Sequence, residues 1–226
     1  MERWKVALLC ALKARYGLSF AALLELSAAL FGEAPPEATL RRYWRALARW
    51  AEDYARRLVG LGELLVVDST GAPTYHRGPG YKLHFAYDVE RGIPLAATVA
   101  GPSSPDSAVA RELAARLAGG SGVVLADSAY FGRPVFEAFA EAGYLLVARP
   151  RRPPRGCRRR GFARRLELLF EAFRELYRRR GEGERMARAW KARTRRALFY
   201  RTLASADAHA KWMVLGCAVA FLASIA

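Results

Sequence analysis

Two aspartates in this sequence each follow a short, continuous apolar run. Asp68 comes directly after residues 64–67, and Asp127 comes directly after residues 123–126. Runs without a polar face are typical of strands that are buried on both sides, as in the middle of a parallel or mixed sheet. In open α/β sheets the carboxyl ends of such strands are where ligands and catalytic groups collect. A carboxylate there is a candidate for chemistry, although Asp68 followed by Ser69 and Thr70 could also simply begin a turn.

The two aspartates would lie side by side if their strands are neighbours, as sequential strands often are. A pair of carboxylates forms half of a divalent-metal site, because Mg²⁺ prefers hard oxygen ligands. A third carboxylate would make a two-metal site for phosphodiester chemistry, in which one ion activates the attacking oxygen and the other stabilises the leaving oxygen. The C-terminal region offers Glu182 and Glu184. Three further acids at helical spacing there favour arginine-paired surface positions: Glu167, Glu171 and Glu175.

The elements around the aspartates predict an α/β fold. Alternation at period two predicts strands over residues 82–87 and 93–99, which with 64–67 form a three-strand meander. Beyond residue 100 the pattern predicts a helix over 108–117, a strand over 123–126, a helix over 134–142 and a strand over 144–148. Two more helical stretches follow, and between them and the last strand lies a basic loop over residues 149–165 with nine arginines.

Residues 1 to about 60 are predicted to be helical, with Gly17 and Gly32 ending the first two helices. A third helix is predicted over residues 40–58, with Tyr43 and Trp44 among several arginines. Three helices of which the last is basic and aromatic favour a DNA reader resembling a helix-turn-helix. A helical cap with a solvated basic face is the alternative. The arginines concerned include Arg41, Arg42 and Arg45.

Composition points to a nucleic acid as the partner. The chain of 226 residues carries 37 Lys and Arg against 21 Asp and Glu, a net charge of +16. Such an excess favours binding to a polyanion, with nucleic acid ahead of an anionic membrane surface. Three cysteines that are far apart favour reduced thiols in the cytoplasm and argue against a zinc site. The apolar residues 212–226 are fewer than the about 20 that a membrane span needs, so a buried C-terminal helix is expected.

A four-residue pattern in the C-terminal region is more specific. Two, three and six residues separate Tyr177, Arg180, Glu184 and Lys191. This spacing resembles the Tyr-Arg-Glu-Lys signature of one large class of prokaryotic insertion-sequence transposases. Together with Asp68 in VVDST and Asp127 in LADSAYFG, it makes residues 64 to about 203 resemble a DDE transposase with a ribonuclease-H-like core.

The resemblance implies a mixed five-stranded sheet flanked by helices over residues 61–226, with a small all-helical domain over residues 1–60. It implies a metal-binding catalytic triad of Asp68, Asp127 and Glu184, served by Mg²⁺ or Mn²⁺. The activity implied is cleavage of double-stranded DNA at the ends of an insertion sequence, followed by transfer of the freed 3′ end into target DNA. A homodimer on DNA is implied by the need to join two ends.

Several cations are expected to contact DNA. By resemblance, Tyr177, Arg180 and Lys191 would contact phosphates at the element ends, and Arg185 lies beside them in the sequence. Lys82 and His84, on the strand next to the first, are further candidates that could instead be ordinary exposed strand residues. Two other functions remain open: a ribonuclease-H-like nuclease that cuts without joining, and a non-catalytic DNA-binding protein derived from a transposase.

The sequence also departs from the family pattern. Only 57 positions lead from Asp127 to Glu184, too few for the large β-rich insertion that some members carry there. Functions assigned to that insertion therefore cannot be transferred. Ala187 stands where related sequences often have a bulky apolar residue.

Overall fold

The computed structural model describes residues 2–72, 80–152, 160–194 and 202–226. Its first 60 residues form four helices: α1 Arg3–Tyr16, α2 Phe20–Phe31, α3 Glu37–Ala46 and α4 Ala48–Val59. Helices α1 and α2 end where predicted, at Gly17 and Gly32, which both adopt positive φ. The side chain of Ser19 caps α2 by accepting a hydrogen bond from the Ala22 amide.

The prediction of one helix over residues 40–58 is wrong. The chain leaves helical geometry at Leu47, with φ −101° and ψ 3°, and so divides the segment into α3 and α4. The turn lets both helices bury an apolar side. Trp44 of α3 and Ala51 of α4 are both buried in the core, and most of the arginines are exposed. Arg56 is the exception, since it pairs with the buried Glu52.

The sheet is the mixed, five-stranded sheet that the sequence predicts. Its strands are β1 Leu64–Ala72, β2 Tyr81–Asp88, β3 Ile93–Ala100, β4 Gly122–Ala126 and β5 Tyr144–Ala148. They lie in the order β3-β2-β1-β4-β5. The meander β1-β2-β3 is antiparallel, whereas β1, β4 and β5 are parallel. This arrangement confirms the predicted ribonuclease-H-like α/β fold.

In the part of the chain that the structure describes, six α-helices follow the first three strands. They are α5 Asp106–Arg116, α6 Arg133–Glu141, α7 Gly161–Ala172, α8 Arg174–Tyr177, α9 Gly181–Thr194 and α10 Leu203–Ile225. Helix α5 connects β3 to β4, α6 connects β4 to β5, the two pack on one another, and α9 packs on β1. The prediction of a loop over residues 149–165 is wrong at its end, because α7 already begins at Gly161. The segment from α7 to α9 carries the acidic and basic residues of the predicted signature.

Helix α10 is longer than the apolar stretch that predicted it. It begins at Leu203, where Thr202 caps it by accepting from the Ser205 amide, and it runs for 23 residues. By length and composition it could cross a membrane, yet 56% of its apolar window is buried inside the protein against β3, α4 and α1. Its Trp212 donates a hydrogen bond to the carbonyl of Trp44 at 2.8 Å, and the two indoles stack.

The outer edge of β3 is hydrogen-bonded by side chains of the surrounding helices. Glu52 of α4 accepts from the Ala97 amide at 2.7 Å, and Asp207 of α10 accepts from the Val99 amide at 3.0 Å. Arg116 of α5 donates to the Ala97 carbonyl at 3.0 Å. Because exposed edge groups are a template for pairing with another chain, these contacts close the sheet on this side.

Loss of the Glu52 carboxylate is expected to destabilise the fold. Glu52 is fully buried and also pairs with Arg56 and Arg116, so Glu52→Ala would leave the buried Ala97 amide without this acceptor and remove the buried negative charge beside two arginines. We expect a loss of about 3–5 kcal/mol in the free energy of unfolding, measured with urea. The matched control is Glu112→Ala, which removes the exposed partner of the same Arg116 and should cost less than about 1 kcal/mol. Equal effects would contradict this account.

Candidate active site

The register of β1 and β4 brings the two aspartates together. Asp127 directly follows β4, as predicted, whereas Asp68 is an internal residue of β1, which continues in its ladder with β2 as far as Ala72. Ser69 and Thr70 therefore belong to the strand and do not begin a turn. Val67 pairs with Ala126 in the parallel ladder, and each aspartate is the next residue of its chain. One oxygen of each carboxylate is oriented locally. Oδ1 of Asp68 accepts from the Ser69 amide at 2.8 Å, and Oδ1 of Asp127 accepts from the Ala129 amide at 2.8 Å. The second oxygen of each carboxylate, Oδ2, accepts no hydrogen bond from these two amides.

A third acid comes from the start of α9. Arg180, in the 3₁₀ turn before this helix, extends between Asp68 and Glu184. Its Nη2 lies 3.1 Å from Oδ2 of Asp68, and its Nη1 lies 3.2 Å from Oε1 of Glu184. The same guanidinium therefore joins the acid of β1 to the acid of α9.

The carboxylates influence each other electrostatically. Asp68 is only 8% exposed, and this burial raises the pKa of its carboxyl. Arg180 and the Ser69 amide act in the opposite direction, whereas the negative charges of Asp127 and Glu184 raise the pKa further. The net shift is upward, so burial and the two neighbouring negative charges outweigh Arg180 and the Ser69 amide at Asp68.

Tyr177 connects the signature segment to the end of β4. Its hydroxyl donates to the carbonyl of Ala126, the residue before Asp127, at 3.0 Å. Its ring packs edge-on against Phe170 of α7, and burial raises the pKa of its phenol. The hydroxyl hydrogen of Tyr177 is therefore committed to the protein backbone. Lys191 lies in α9, but its side chain is outside the described part of the structure.

The chemistry of these residues fits a divalent cation. Within the described ranges, no three His, Cys, Asp or Glu side chains are arranged to hold one ion as they stand. Arg180 occupies the space between two of the three acids and supplies a positive charge there. The donors are all carboxylate oxygens, which suit Mg²⁺ or Mn²⁺. The Arg180 guanidinium marks where the oxygens of Asp68 and Glu184 face a positive charge.

The sheet order, with Asp68 on β1 and Asp127 directly after the neighbouring strand β4, is that of the class of ribonuclease-H-like proteins. Residues 60–220 match the model of the transposase DDE domain, and the chain belongs to this family. A comparison with curated proteins finds no match. Domains of this family act on DNA and generally use divalent metal ions.

The predicted DNA contact through His84 is wrong for its side chain. His84 is fully buried on β2, a strand covered on both sides, so it offers DNA no surface. Its Nδ1 lies 3.5 Å from the hydroxyl of Tyr130. Tyr130 follows the Asp127 turn and is also fully buried, and helical or strand periodicity does not single it out. In the sequence, Tyr130 could have been singled out only by its position three residues after Asp127.

Lys82 and Arg185 are accessible, and both are ion-paired. Lys82 pairs with Asp106 at the start of α5, and its side chain is partly exposed. Arg185 pairs with Glu182, and its side chain is exposed. Asp106 thus holds a lysine at the active-site end of β2. It also lies 3.9 Å from Nε2 of His84.

The arginines of α3 lie apart from the carboxylates, on an exposed face. Arg41 pairs with Glu37 and covers the ring of Phe20, and Arg42 lies over Tyr43. Arg45 lines a cavity of about 330 Å³ between α3, α5 and α10. The structure therefore leaves these three side chains available to a polyanion.

His84 should make the protein sensitive to acid. Burial, with a smaller contribution from Lys82, lowers the pKa of His84 from 6.5 to about 4, while Asp106 opposes this. Because the pKa of His84 is lower in the folded protein than in the unfolded chain, the unfolded chain binds the proton at a higher pH as the solution is acidified. Stability is therefore complete above about pH 6.5 and is lost as the pH falls towards 4, by up to about 3 kcal/mol.

Replacement of the imidazole tests this assignment. His84→Gln should flatten the decline in the free energy of unfolding between pH 6.5 and pH 4, measured by urea titration at several pH values. His209→Gln should flatten part of the decline as well, because burial lowers the pKa of His209 to about 3, and the effects of the two substitutions should add. An unchanged pH dependence in His84→Gln would refute the assignment.

Proposed function

We propose that the chain is a DNA transposase of the class with the Tyr-Arg-Glu-Lys signature. It would cleave DNA at insertion-sequence ends and transfer the freed 3′ end into target DNA. The observation that carries this proposal is the arrangement of three acids: Asp68 lies on β1, Asp127 directly follows the neighbouring parallel strand β4, and Arg180 bridges Asp68 to Glu184. Membership of the transposase DDE family supports it.

In this proposal Asp68, Asp127 and Glu184 hold Mg²⁺ or Mn²⁺. The bound ions would activate the attacking oxygen and stabilise the leaving oxygen of the phosphodiester. The chain's own residues supply the orientation. The Ser69 and Ala129 amides fix one oxygen of each aspartate and leave the other to face the cation. Arg180 balances the charge of the acids.

The proposed DNA surface surrounds these acids and extends to the N-terminal helices. A net charge of +16 supports it, because phosphate contacts supply most sequence-independent affinity. We propose DNA contacts from Tyr177, Arg180, Arg185, Lys191, Lys82, Arg41, Arg42 and Arg45. For Tyr177 the contact would use the ring or the lone pairs of the oxygen, since the hydroxyl hydrogen is committed to Ala126.

Three further features belong to the proposal. Residues 1–60 would form the DNA-reading part and residues 61–226 the catalytic part. Two copies would act together on a pair of element ends, and the protein would work in the cytoplasm. The four N-terminal helices share one hydrophobic core with α10, so in this proposal the two parts move as one body.

Removal of any acid of the triad should abolish cleavage. We expect Asp68→Asn, Asp127→Asn and Glu184→Gln each to lower Mg²⁺-dependent nicking of end-containing DNA on the order of a thousandfold. DNA binding, measured by gel shift, should persist because the loss is confined to the metal ligands. The matched control is Glu175→Gln, which neutralises an exposed glutamate of the neighbouring helix α8.

The same assay separates the alternatives. A wild-type protein that nicks no DNA with Mg²⁺ or Mn²⁺ would refute the enzyme proposal and favour a DNA-binding protein derived from a transposase. Nicking without joined products on marked ends would indicate a nuclease. Joined products that depend on the three acids would support the transposase.

A further inference from the structure

Helix α9 lies unusually close to β1 at Gly183. This glycine is buried, and a Cβ built on it would overlap Cγ1 of Val66 and lie 3.2 Å from the Val66 Cβ. Real Cβ atoms do not approach a neighbour in this way unless something moves. Any side chain at position 183 would therefore push the first turn of α9 away from the sheet.

The contact is made beside the candidate metal ligands. Val66 and Asp68 are two residues apart on β1, so their side chains lie on the same face of the sheet. Gly183 immediately precedes Glu184 on α9. The distance between α9 and β1 at Gly183 therefore sets how closely Glu184 can approach Asp68.

Two other features support this close approach. Ala187, one turn after Gly183, is also small and is buried, so the same face of α9 stays free of bulk. The second feature is Tyr177, which ties the preceding turn to β4 through the Ala126 carbonyl. The segment that carries Glu184 thus contacts β1, which contains Asp68, and β4, which Asp127 follows.

We propose that Gly183 is a positioning residue for the metal site. Because it lacks a side chain, α9 can rest on Val66, and Glu184 is held within reach of the cation that Asp68 and Asp127 share. The inference rests on the proposed metal-dependent function. Gly183 lies outside the four-residue signature. It positions Glu184 because it lets the backbone of α9 lie close to β1.

A pair of glycine substitutions in one helix tests the proposal. Gly183→Ala should weaken Mn²⁺ binding, followed by electron paramagnetic resonance, by about tenfold or more, as displaced ligand geometry does. The matched control is Gly181→Ala, two residues earlier in α9, where an added Cβ would meet nothing within 4 Å. Its Mn²⁺ affinity should stay within about twofold of wild type, as expected for an ordinary helix surface position.

A compensating change distinguishes positioning from general damage. Val66→Ala removes the atom that the new Cβ would overlap and leaves the 3.2 Å contact, which a small shift can relieve. Gly183→Ala with Val66→Ala should therefore recover most of the lost Mn²⁺ affinity. The metal-free unfolding midpoint should show the same coupling: the double variant should be more stable than the sum of the two single effects predicts.

The outcomes separate the inference from the function on which it rests. Wild-type Mn²⁺ affinity in Gly183→Ala, or independent effects of the two substitutions, would overturn the positioning role and leave the proposed transposase untouched. A wild-type protein that neither binds Mn²⁺ nor nicks DNA would overturn the proposed function itself. Equal loss in Gly181→Ala and Gly183→Ala would attribute the effect to helix composition and also refute the proposal.

Discussion

The parallel pairing of β1 with β4 is the constraint on which the rest of the structure depends. It places two carboxylates on neighbouring strands, where their charges raise the free energy of the site. Backbone amides orient one oxygen of each aspartate. Arg180 offsets part of the negative charge and links Asp68 to Glu184. The candidate cation-binding centre thus depends first on strand register, because the register brings the two carboxylates together.

The segment from Tyr177 to Glu184 solves a different problem, since its residues are far from both aspartates in the sequence. This segment passes beside β4 and β1 and must hold the exposed side chain of Glu184 in place. The structure does this with contacts of different kinds: a hydrogen bond from Tyr177 to β4 and close packing of Gly183 on β1. Glu184 is exposed, yet its position is fixed because Tyr177 and Gly183 are packed against the sheet.

Local signals in the sequence predict much of this arrangement. The apolar runs before Asp68 and Asp127 predict the buried strands, because a buried parallel strand has no polar face. Other features depend on tertiary packing. The break at Leu47 serves contacts with α10, and the burial of His84 follows from layers that cover both sides of β2. Gly181 and Gly183 are equivalent in the sequence, and only the distant Val66 distinguishes them.

The hydrogen-bonded outer edge of β3 also bears on how copies of the protein could assemble. Glu52, Arg116 and Asp207 already use its polar groups from Ala97 to Val99, so a neighbouring molecule cannot extend the sheet there. Copies that meet on this side of the molecule would then join through the side chains of the covering helices. Such an interface can dissociate and re-form at each stage of a reaction, because separating the subunits breaks no continuous ladder of backbone hydrogen bonds.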